Sequence, residues 1–259
     1  MKATFLGTGT SQGVPLIGCK CLICQSANPK DKRLRSSIKI EVDGQTLVID
    51  SGPDFRQQML RSGTEQLDAL IFTHEHKDHI AGMDDIRAFN YINKKAIDVY
   101  ASLQVQRALK REYQYIFADI KYPGIPEINL KTISKNESFL VQDTLVTPIE
   151  VFHYMLPVLG FRINDFTYIT DANFIAEEEK QKIRGSKVLV LNALRNEKHI
   201  SHYTLSEAIA LAQELEVPEV YFTHISHQLG LHEDVTKELP QGIYLAYDGL
   251  EVKLDRRTV

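Results

Sequence analysis

Several features that separate broad classes of protein are absent from this sequence. No segment approaches the roughly 20 consecutive apolar residues of a membrane-spanning helix, so we expect no membrane partner. Basic residues do not outnumber acidic ones, with 30 Lys and Arg against 34 Asp and Glu and a formal net charge of -4. That balance speaks against binding to a long nucleic acid. No secretion signal is visible, and we expect a cytoplasmic protein.

The chain also lacks a proline-rich or low-complexity linker. Its 259 residues, 43% of them hydrophobic, can bury a large core. Strand-like apolar runs alternate with helical segments, which predicts an α/β fold of packed layers. Since the candidate ligands described below come from both halves, we expect a single domain over residues 1–259. The predicted strands include 47–50, 69–73, 96–100, 188–191 and 220–222, and the predicted helices are 103–113, 176–184 and 205–215.

The most informative segment is Ile71-Phe-Thr-His-Glu-His-Lys-Asp-His79, directly after an apolar run. His74 and His76 are two positions apart on an extended segment, so both imidazoles can face one divalent cation. Asp78 and His79 follow where a helix is expected to begin, near Asp78, and are aimed at a neighbouring point. Imidazole is the commonest metal ligand. We therefore interpret the segment as part of two metal sites rather than as a histidine-rich surface turn.

The pattern His-x-His-x-Asp-His at the end of a strand resembles the signature of the metallo-β-lactamase superfamily. The resemblance implies a four-layered αβ/βα sandwich, with the metals in a cleft along one edge of two sheets. It also implies further ligands at the ends of later strands. The candidates are His153, Asp171 and His224, each of which follows a strand-like segment.

The resemblance implies that two divalent metals, zinc or manganese above all, share one site and hold a hydroxide that carries out hydrolysis. Asp50 matches an aspartate that supports the metal loop in this family, although a turn carboxylate beside Gly52 is the competing interpretation. The implied assignment is His74, His76 and His153 to one metal, Asp78, His79 and His224 to the other, and Asp171 as the bridge.

All three cysteines lie in the segment Cys19-x-Cys21-x-x-Cys24. An odd number so closely spaced argues against a disulfide framework. Three thiolates need a fourth ligand to complete a closed tetrahedral zinc site, which would be structural. We expect His227 in that position, with His232 as the alternative, and a redox or buried thiol cluster as the competing interpretation. The arrangement resembles the phosphoribosyl cyclic phosphodiesterases, in which a histidine three positions beyond the last catalytic ligand shares a zinc with loop cysteines.

His202 stands just before a predicted helix. In the phosphodiesterase branches of the superfamily, a histidine in such a place assists the scissile phosphate or protonates the leaving oxygen. We therefore predict His202 as a catalytic residue, together with Asp78. A pKa near neutrality would suit general acid catalysis, and Glu207 is one acid that could orient the ring. The alternative is an exposed residue at the start of the helix.

Three further segments have weaker signals. The glycine-rich stretch 7–18 is interpreted as a wide loop over the site, because Pro15 and Gly18 oppose the helix that a dinucleotide-binding turn requires. The segment 111–130 is interpreted as a lid or dimer contact, or as cover for an apolar edge. The cations of interest for phosphate recognition are Arg33, Arg35 and Arg56, whose default explanation is surface charge.

The sequence thus predicts a metal-dependent phosphodiesterase that hydrolyses a small diester, for which a cyclic ribose phosphate is one candidate. A homodimer is expected from the resemblance. Two alternatives stay open. One is a transfer-RNA 3′-processing endonuclease, and the other is a non-hydrolytic protein of cofactor biosynthesis, as suggested for relatives in quinone-cofactor synthesis that carry a similar cysteine loop.

Overall fold

The structure is a computed structural model of the chain and describes residues 1–120 and 122–254. Lys121, within the segment 111–130, lies outside the described residues. So do residues 255–259, at the end of the expected domain.

The described residues form two seven-stranded sheets. The first sheet begins with β1 (Lys2–Gly7), β2 (Ser37–Val42), β3 (Gln45–Ile49), β4 (Ala69–Ile71), β5 (Ile97–Ala101) and β6 (Ile128–Thr132). The second consists of β7 (Phe139–Val141), β8 (Thr144–His153), β9 (Leu156–Ile163), β10 (Phe166–Tyr168), β11 (Val188–Asn192), β12 (Glu219–Thr223) and β13 (Ile243–Leu245). The last strand, β14 (Glu251–Lys253), returns to the first sheet and pairs with β1.

Each sheet has a parallel half, and this arrangement positions the site. Strands β3 to β6 are parallel to one another, and so are β10 to β13. The strand order is β14-β1-β2-β3-β4-β5-β6 in one sheet and β13-β12-β11-β10-β9-β8-β7 in the other. Parallel strands present their C-terminal ends at a common edge, where loops carry functional side chains.

The helices connect these strands. They are α1 (Leu22–Gln25), α2 (Phe55–Arg61), α3 (Lys77–Ile80), α4 (Arg87–Asn93), α5 (Leu103–Glu112), α6 (Glu177–Ile183), α7 (Leu205–Leu215) and α8 (His232–Glu238). Short 3-10 turns lie at Pro29–Asp31, Met83–Ile86 and Gln114–Ile116. None of the helices within the described ranges is long and apolar enough to cross a membrane.

The buried side chains occupy three layers. Between the sheets lie residues such as Phe5, Leu47, Phe161 and Val190. A second layer packs β11 and β12 against α7 and α8, and a third packs β4 and β5 against α2, α4 and α5. This is a helix-sheet-sheet-helix sandwich, since each sheet buries one face on the other sheet and one on helices. The predicted αβ/βα architecture is confirmed.

Local sequence accounts well for several boundaries. Helix α7 coincides with the predicted range 205–215, because Thr204 and Glu207 form a capping box at its start. The predicted strands and other helices agree with the observed ones to within a residue or two. After β1 no helix opens until Leu22, as expected for the wide glycine-containing loop.

Candidate active site

The predicted ligands converge at one edge of the sandwich, where strand ends of both sheets lie side by side. His74 and His76 lie in the loop after β4, and Asp78 and His79 lie on α3. The second sheet contributes His153 at the end of β8, Asp171 shortly after β10 and His224 directly after β12. The sequence places these residues up to 150 positions apart, and the common edge of the strands brings them together.

Asp171 lies at the centre of this group. Its Oδ2 is 3.6 Å from His74 Nε2 and 3.4 Å from His79 Nε2, while its Oδ1 is 2.9 Å from His224 Nδ1. One set of ligand atoms comprises Asp78, His79, Asp171 and His224, and a second comprises His74, His76 and Asp171; within each set all atoms lie within 4.8 Å of one another. The carboxylate of Asp171 therefore faces both sets, which is the geometry that a bridging ligand requires.

His153 lies slightly apart from His74 and His76, the two residues with which it was expected to share a metal. Its ring centroid is 5.1 Å from that of His76 and 5.9 Å from that of His74. Its ligand atom groups with those of Asp171 and His202. His153 Nδ1 donates a hydrogen bond to the carbonyl of Ser201 at 2.8 Å, which leaves Nε2 as the ring nitrogen available to a metal.

Asp50 is hydrogen-bonded to residues 73–79, the segment that carries four of the candidate ligands. Its carboxylate accepts hydrogen bonds from Thr73 N at 2.9 Å, Thr73 Oγ1 at 2.8 Å and His79 Nδ1 at 2.7 Å. Because His79 donates its Nδ1 proton to Asp50, its Nε2 faces Asp78 and Asp171, as metal ligation requires. The interpretation of Asp50 as a simple turn carboxylate is wrong, since the residue is fully buried against the loop that carries the histidines.

Three residues of the site adopt left-handed backbone conformations. The φ angles are +66° at Asp50, +54° at Asp171 and +57° at His224. Asp and His tolerate this region better than most residues, but it still costs free energy. The packing of the strand ends evidently holds all three turns, and strained backbone of this kind clusters at functional sites.

The carboxylates of Asp78 and Asp171 are stabilised in their charged form by neighbouring histidines. Burial opposes the charge on Asp78 and Asp171, but neighbouring His79 and His224 outweigh that effect and hold the pKa of both carboxyls below the usual range. Burial likewise disfavours a charged His79, yet Asp78, Asp171 and Asp50 raise its pKa well above normal. Burial lowers the pKa of His74. A cluster of carboxylates that needs a cation among them is suited to divalent metal.

The residues present fit such metals. Imidazole nitrogens and carboxylate oxygens are ordinary ligands of zinc and of manganese. His79 Nε2 is buried and has no hydrogen-bond partner among the described residues, although it points into the cluster. His74 Nε2 and His76 Nδ1 approach each other at 3.0 Å, so two ring nitrogens converge on one point.

His202 is buried beside the ligands rather than exposed at the helix start. Its ring centroid lies 4.4 Å from that of His153 and 4.8 Å from that of His224. Burial, followed by the charge of His224, lowers its pKa to about 2. The near-neutral pKa expected from the sequence is therefore wrong for the free protein. Glu207, one acid considered for orienting the ring, is instead engaged in the capping box of α7 with Thr204.

The cysteines form a second cluster, with His227. His227 Nδ1 is 3.4 Å from Cys21 Sγ and 3.6 Å from Cys19 Sγ, and Cys24 completes a set whose ligand atoms lie within 4.8 Å of one another. The contact with His227 lowers the pKa of Cys21 to about 6, whereas burial raises that of Cys24 to about 11. All three are free thiols. Three sulfurs and one imidazole nitrogen fit a closed tetrahedral zinc site.

His232, the alternative ligand, lies elsewhere. Its Nδ1 accepts a hydrogen bond from Arg33 Nη2 at 3.3 Å, so it does not join the cysteines. Arg33 itself is buried, with 4% of its surface exposed, and donates to Thr8 Oγ1 and to the carbonyl of Ala246. Both interpretations of Arg33, as a phosphate ligand and as surface charge, are wrong because it ties the N-terminal loop to the C-terminal segment.

Among the described residues, Arg35, Arg56 and the aromatic segment 111–130 form no hydrogen bond or ion pair with the candidate ligands. Arg35 pairs with Asp54 at 3.1 Å, and Arg56 is exposed on α2. In the segment 111–130, Tyr113 is buried and donates to the carbonyl of Ile80 at 2.7 Å. Tyr113 thus covers the apolar side of the helix that carries Asp78 and His79, which agrees with the interpretation of the segment as cover for an apolar edge.

Sequence reasoning missed several supporting residues. Asn192 is buried at the end of β11, where its side chain accepts from Ala172 N at 2.8 Å and donates to Ala172 O at 2.9 Å. It thereby fixes the peptide that follows Asp171. The hydroxyls of Ser36 and Thr10 lie 3.2 and 3.3 Å from the ring nitrogens of His224. A polar residue that ends an apolar strand was the available signal for Asn192.

Comparison with known proteins agrees with this geometry. A family model described as a beta-lactamase superfamily domain matches residues 45–225. The chain is 39% identical over its whole length to an octanoyltransferase of Porphyromonas gingivalis, of which it covers 53%. It is 30% identical over 64% of its length to a ribonuclease Z of Acaryochloris marina, of which it covers 48%. The chain thus spans about half the length of these relatives.

Solved structures extend the comparison to the whole fold. A diphosphatase from the PhnP family is 38% identical, covers 98% of both chains and has a TM-score of 0.91. Zinc-bound PqqB from Methylobacterium extorquens is 22% identical, covers 98% of this chain and 100% of that one with a TM-score of 0.79, and shares the fold. With a family match over residues 45–225 and the sandwich architecture in place, the chain belongs to the metallo-β-lactamase superfamily.

Proposed function

We propose that the protein is a metal-dependent phosphodiesterase that hydrolyses a small phosphodiester, with a cyclic ribose phosphate as one candidate. The observation that carries the proposal is the arrangement of two ligand sets around the shared carboxylate of Asp171, with His202 buried against them. Likeness to a diphosphatase over 98% of the chain supports hydrolysis at phosphorus.

Two divalent metals are proposed for the site, with zinc or manganese as the candidates. His74, His76 and His153 would hold one, Asp78, His79 and His224 the other, and Asp171 both. When bound, such ions lower the pKa of water and neutralise charge that develops on the phosphoryl oxygens. The contribution of the chain is to fix the ligands, through the hydrogen bonds that His79 donates to Asp50 and His153 donates to the carbonyl of Ser201.

His202 is proposed to hold a substrate oxygen. Because its pKa is about 2 in the free protein, the ring is neutral near pH 7 and retains one N–H donor. Its Nδ1 is buried and has no partner among the described residues, so this nitrogen is free to pair with a ligand. A role as general acid requires the phosphate charge to raise that pKa in the complex. In either role, His202 acts on the reacting group directly.

The cysteine cluster is proposed as a structural zinc site. Cys19, Cys21, Cys24 and His227 would form a closed set that leaves no position for water. The site joins the loop after β1 to the loop after β12, and the second of these loops begins with the catalytic ligand His224. We further propose that residues 1–259 form one hydrolase domain, since both sheets contribute ligands.

Octanoyl transfer is not proposed for this chain, because about half of the octanoyltransferase has no counterpart in it. Cleavage of precursor transfer RNA is the competing activity that the ribonuclease Z relative suggests. The net charge of -4 favours a small substrate over a polyanion.

The test is hydrolysis of bis(p-nitrophenyl) phosphate and a ribose 1,2-cyclic phosphate by protein whose metal content has been counted. We expect turnover of both, abolished in His76→Ala. His202→Ala is expected to lower kcat/KM by about 10²-fold or more with the catalytic metals still bound. Metal-replete protein that cleaves precursor transfer RNA more efficiently than either small diester would overturn the proposal.

A further inference from the structure

A cavity of about 500 Å³ opens directly beside the candidate metal centre. His76 and His153 form its inner wall, and its outer walls come from the turn between β8 and β9 and from the loop before His202. The outer residues are Tyr154, Met155, Leu156, Ile200 and Ser201. Among the described residues that line it, none is Lys, Arg, Asp or Glu. A group bound here would meet apolar side chains on one side and the candidate metal ligands on the other.

The exposure of these apolar side chains is unusual for a turn. Met155 is 76% exposed, Ile200 65% and Tyr154 55%. Residues 154 and 155 are the whole connection between β8 and β9, a position where Asn-Gly and other small polar pairs are favoured. Tyr154 has a φ of +60°, which is strained for a bulky residue. The stability of the turn therefore does not explain why these residues are apolar and why Tyr154 is strained. Residues that are locally unfavourable in this way are concentrated at functional sites.

The walls of the cavity are fixed to each other. The backbone N–H of Tyr154 donates to Asn173 Oδ1 at 2.7 Å, and Asn173 Nδ2 donates to the carbonyl of Ile200 at 3.2 Å. His153 Nδ1 donates to Ser201 O at 2.8 Å. One asparagine and one candidate ligand thus tie the two loops together. The cavity is preformed, as small-molecule subsites usually are.

We propose that this cavity is the subsite for an uncharged, largely apolar group esterified to the scissile phosphate. A second phosphate or a carboxylate would gain little there, because the walls offer no cationic side chain among the described residues, whereas Tyr154, Met155 and Ile200 offer apolar surface. An aromatic ring or an alkyl chain shares the required chemistry. The inference rests on the proposed phosphodiesterase activity and, among small diesters, favours an acyclic one with an apolar ester group over a cyclic ribose phosphate.

The experiment compares p-nitrophenyl phosphodiesters that differ only in the group that stays on phosphorus: methyl, butyl and phenyl. The ratio of kcat/KM for the phenyl or butyl ester to that for the methyl ester is measured in metal-replete wild type, Met155→Ala, Ile200→Ala and the double variant. We expect each single substitution to reduce the ratio by about threefold to tenfold, because less apolar surface meets the bound group. Comparison of the phenyl ester with the butyl ester shows whether the cavity prefers an aromatic ring or an alkyl chain.

Leu140→Ala is the matched control, since Leu140 is 57% exposed on β7 and does not line the cavity. Its ratio should equal that of wild type. A ratio unchanged in the double variant, with turnover intact, overturns the subsite and leaves the phosphodiesterase proposal standing. A change in molar mass by light scattering without a change in ratio assigns the patch to a second copy and also overturns it.

Absence of turnover with every diester would overturn the proposed function instead. In that case binding of phenylphosphonate and methylphosphonate to the metal-loaded protein decides the subsite separately. Tighter binding of the phenyl compound, lost in the double variant, supports it. Equal affinities contradict it.

Discussion

Replacement of Asp50 by Asn is a sharp test of how the metal loop is held. The amide oxygen of Asn can still accept from Thr73 N, but the amide nitrogen is a donor only and would face His79 Nδ1. Nδ1 must then act as an acceptor, so the neutral ring that metal ligation requires would carry its proton on Nε2. That nitrogen faces Asp78 and Asp171, and once protonated it cannot ligate a metal.

The magnitude follows from this change of tautomer. Loss of a partner that orients a metal ligand typically costs 10- to 100-fold in metal affinity or activity, or about 1.4 to 2.7 kcal/mol. The effect on folding should be smaller, because burial raises the pKa of Asp50 and a neutral amide avoids that cost of burying a charge. We therefore expect weakened metal binding in a protein that remains folded.

The assay is apparent metal affinity by chelator competition, together with kcat/KM for bis(p-nitrophenyl) phosphate and urea unfolding. Asp68→Asn is the matched control, because Asp68 is also a buried carboxylate that accepts from a backbone N–H, that of Thr46 at 2.9 Å, but lies before β4. It should lose stability and keep metal affinity. Metal affinity within about twofold of wild type in Asp50→Asn would refute the argument.

Three further outcomes are expected. Cys21→Ser should remove one zinc per chain and lower the temperature of unfolding; unchanged metal content and unfolding would contradict the structural site. Asn192→Leu should destabilise the fold by about 1–3 kcal/mol for each group of Ala172 left unpaired and lower kcat; urea unfolding equal to that of wild type would contradict this role. Burial opposes the charge on Asp68, but hydrogen bonds from Thr46, Gln66 and Lys95 hold its pKa below the usual value. Its stabilisation is therefore complete above the unfolded pKa of about 4 and lost as pH falls through the folded one, so Asp68→Asn should flatten the acid limb of urea stability.

Local sequence predicted much of the ligand set because metal chemistry constrains neighbours along the chain. His74, His76, Asp78 and His79 are close in sequence, and the strand-to-helix transition beneath them follows from the apolar run at 70–72. Whether they bind metal stays a prediction. His153, Asp171 and His224 required the family resemblance as well, because a single histidine or aspartate after a strand has no specific signal of its own.

The errors concern side chains whose partners are distant in sequence. Arg33 contacts Ala246 and His232, which lie more than 190 positions away. Its burial could not be inferred from its local segment, which is as polar as a surface loop. His202 was expected to titrate near neutrality, but its pKa depends on desolvation by β8 and the loop after β12, which only packing creates.

The sequence by itself predicted the alternation of strands and helices and the candidate ligand cluster at 74–79, because periodicity and ligand spacing are local. The tertiary structure decided which groups share a point in space. It put Asp171 between two ligand sets, Asn192 behind Asp171, and the turn at 154–155 opposite Ile200 to form a cavity. Those relations arise where the ends of strands from two sheets meet, and no distance along the chain encodes that meeting.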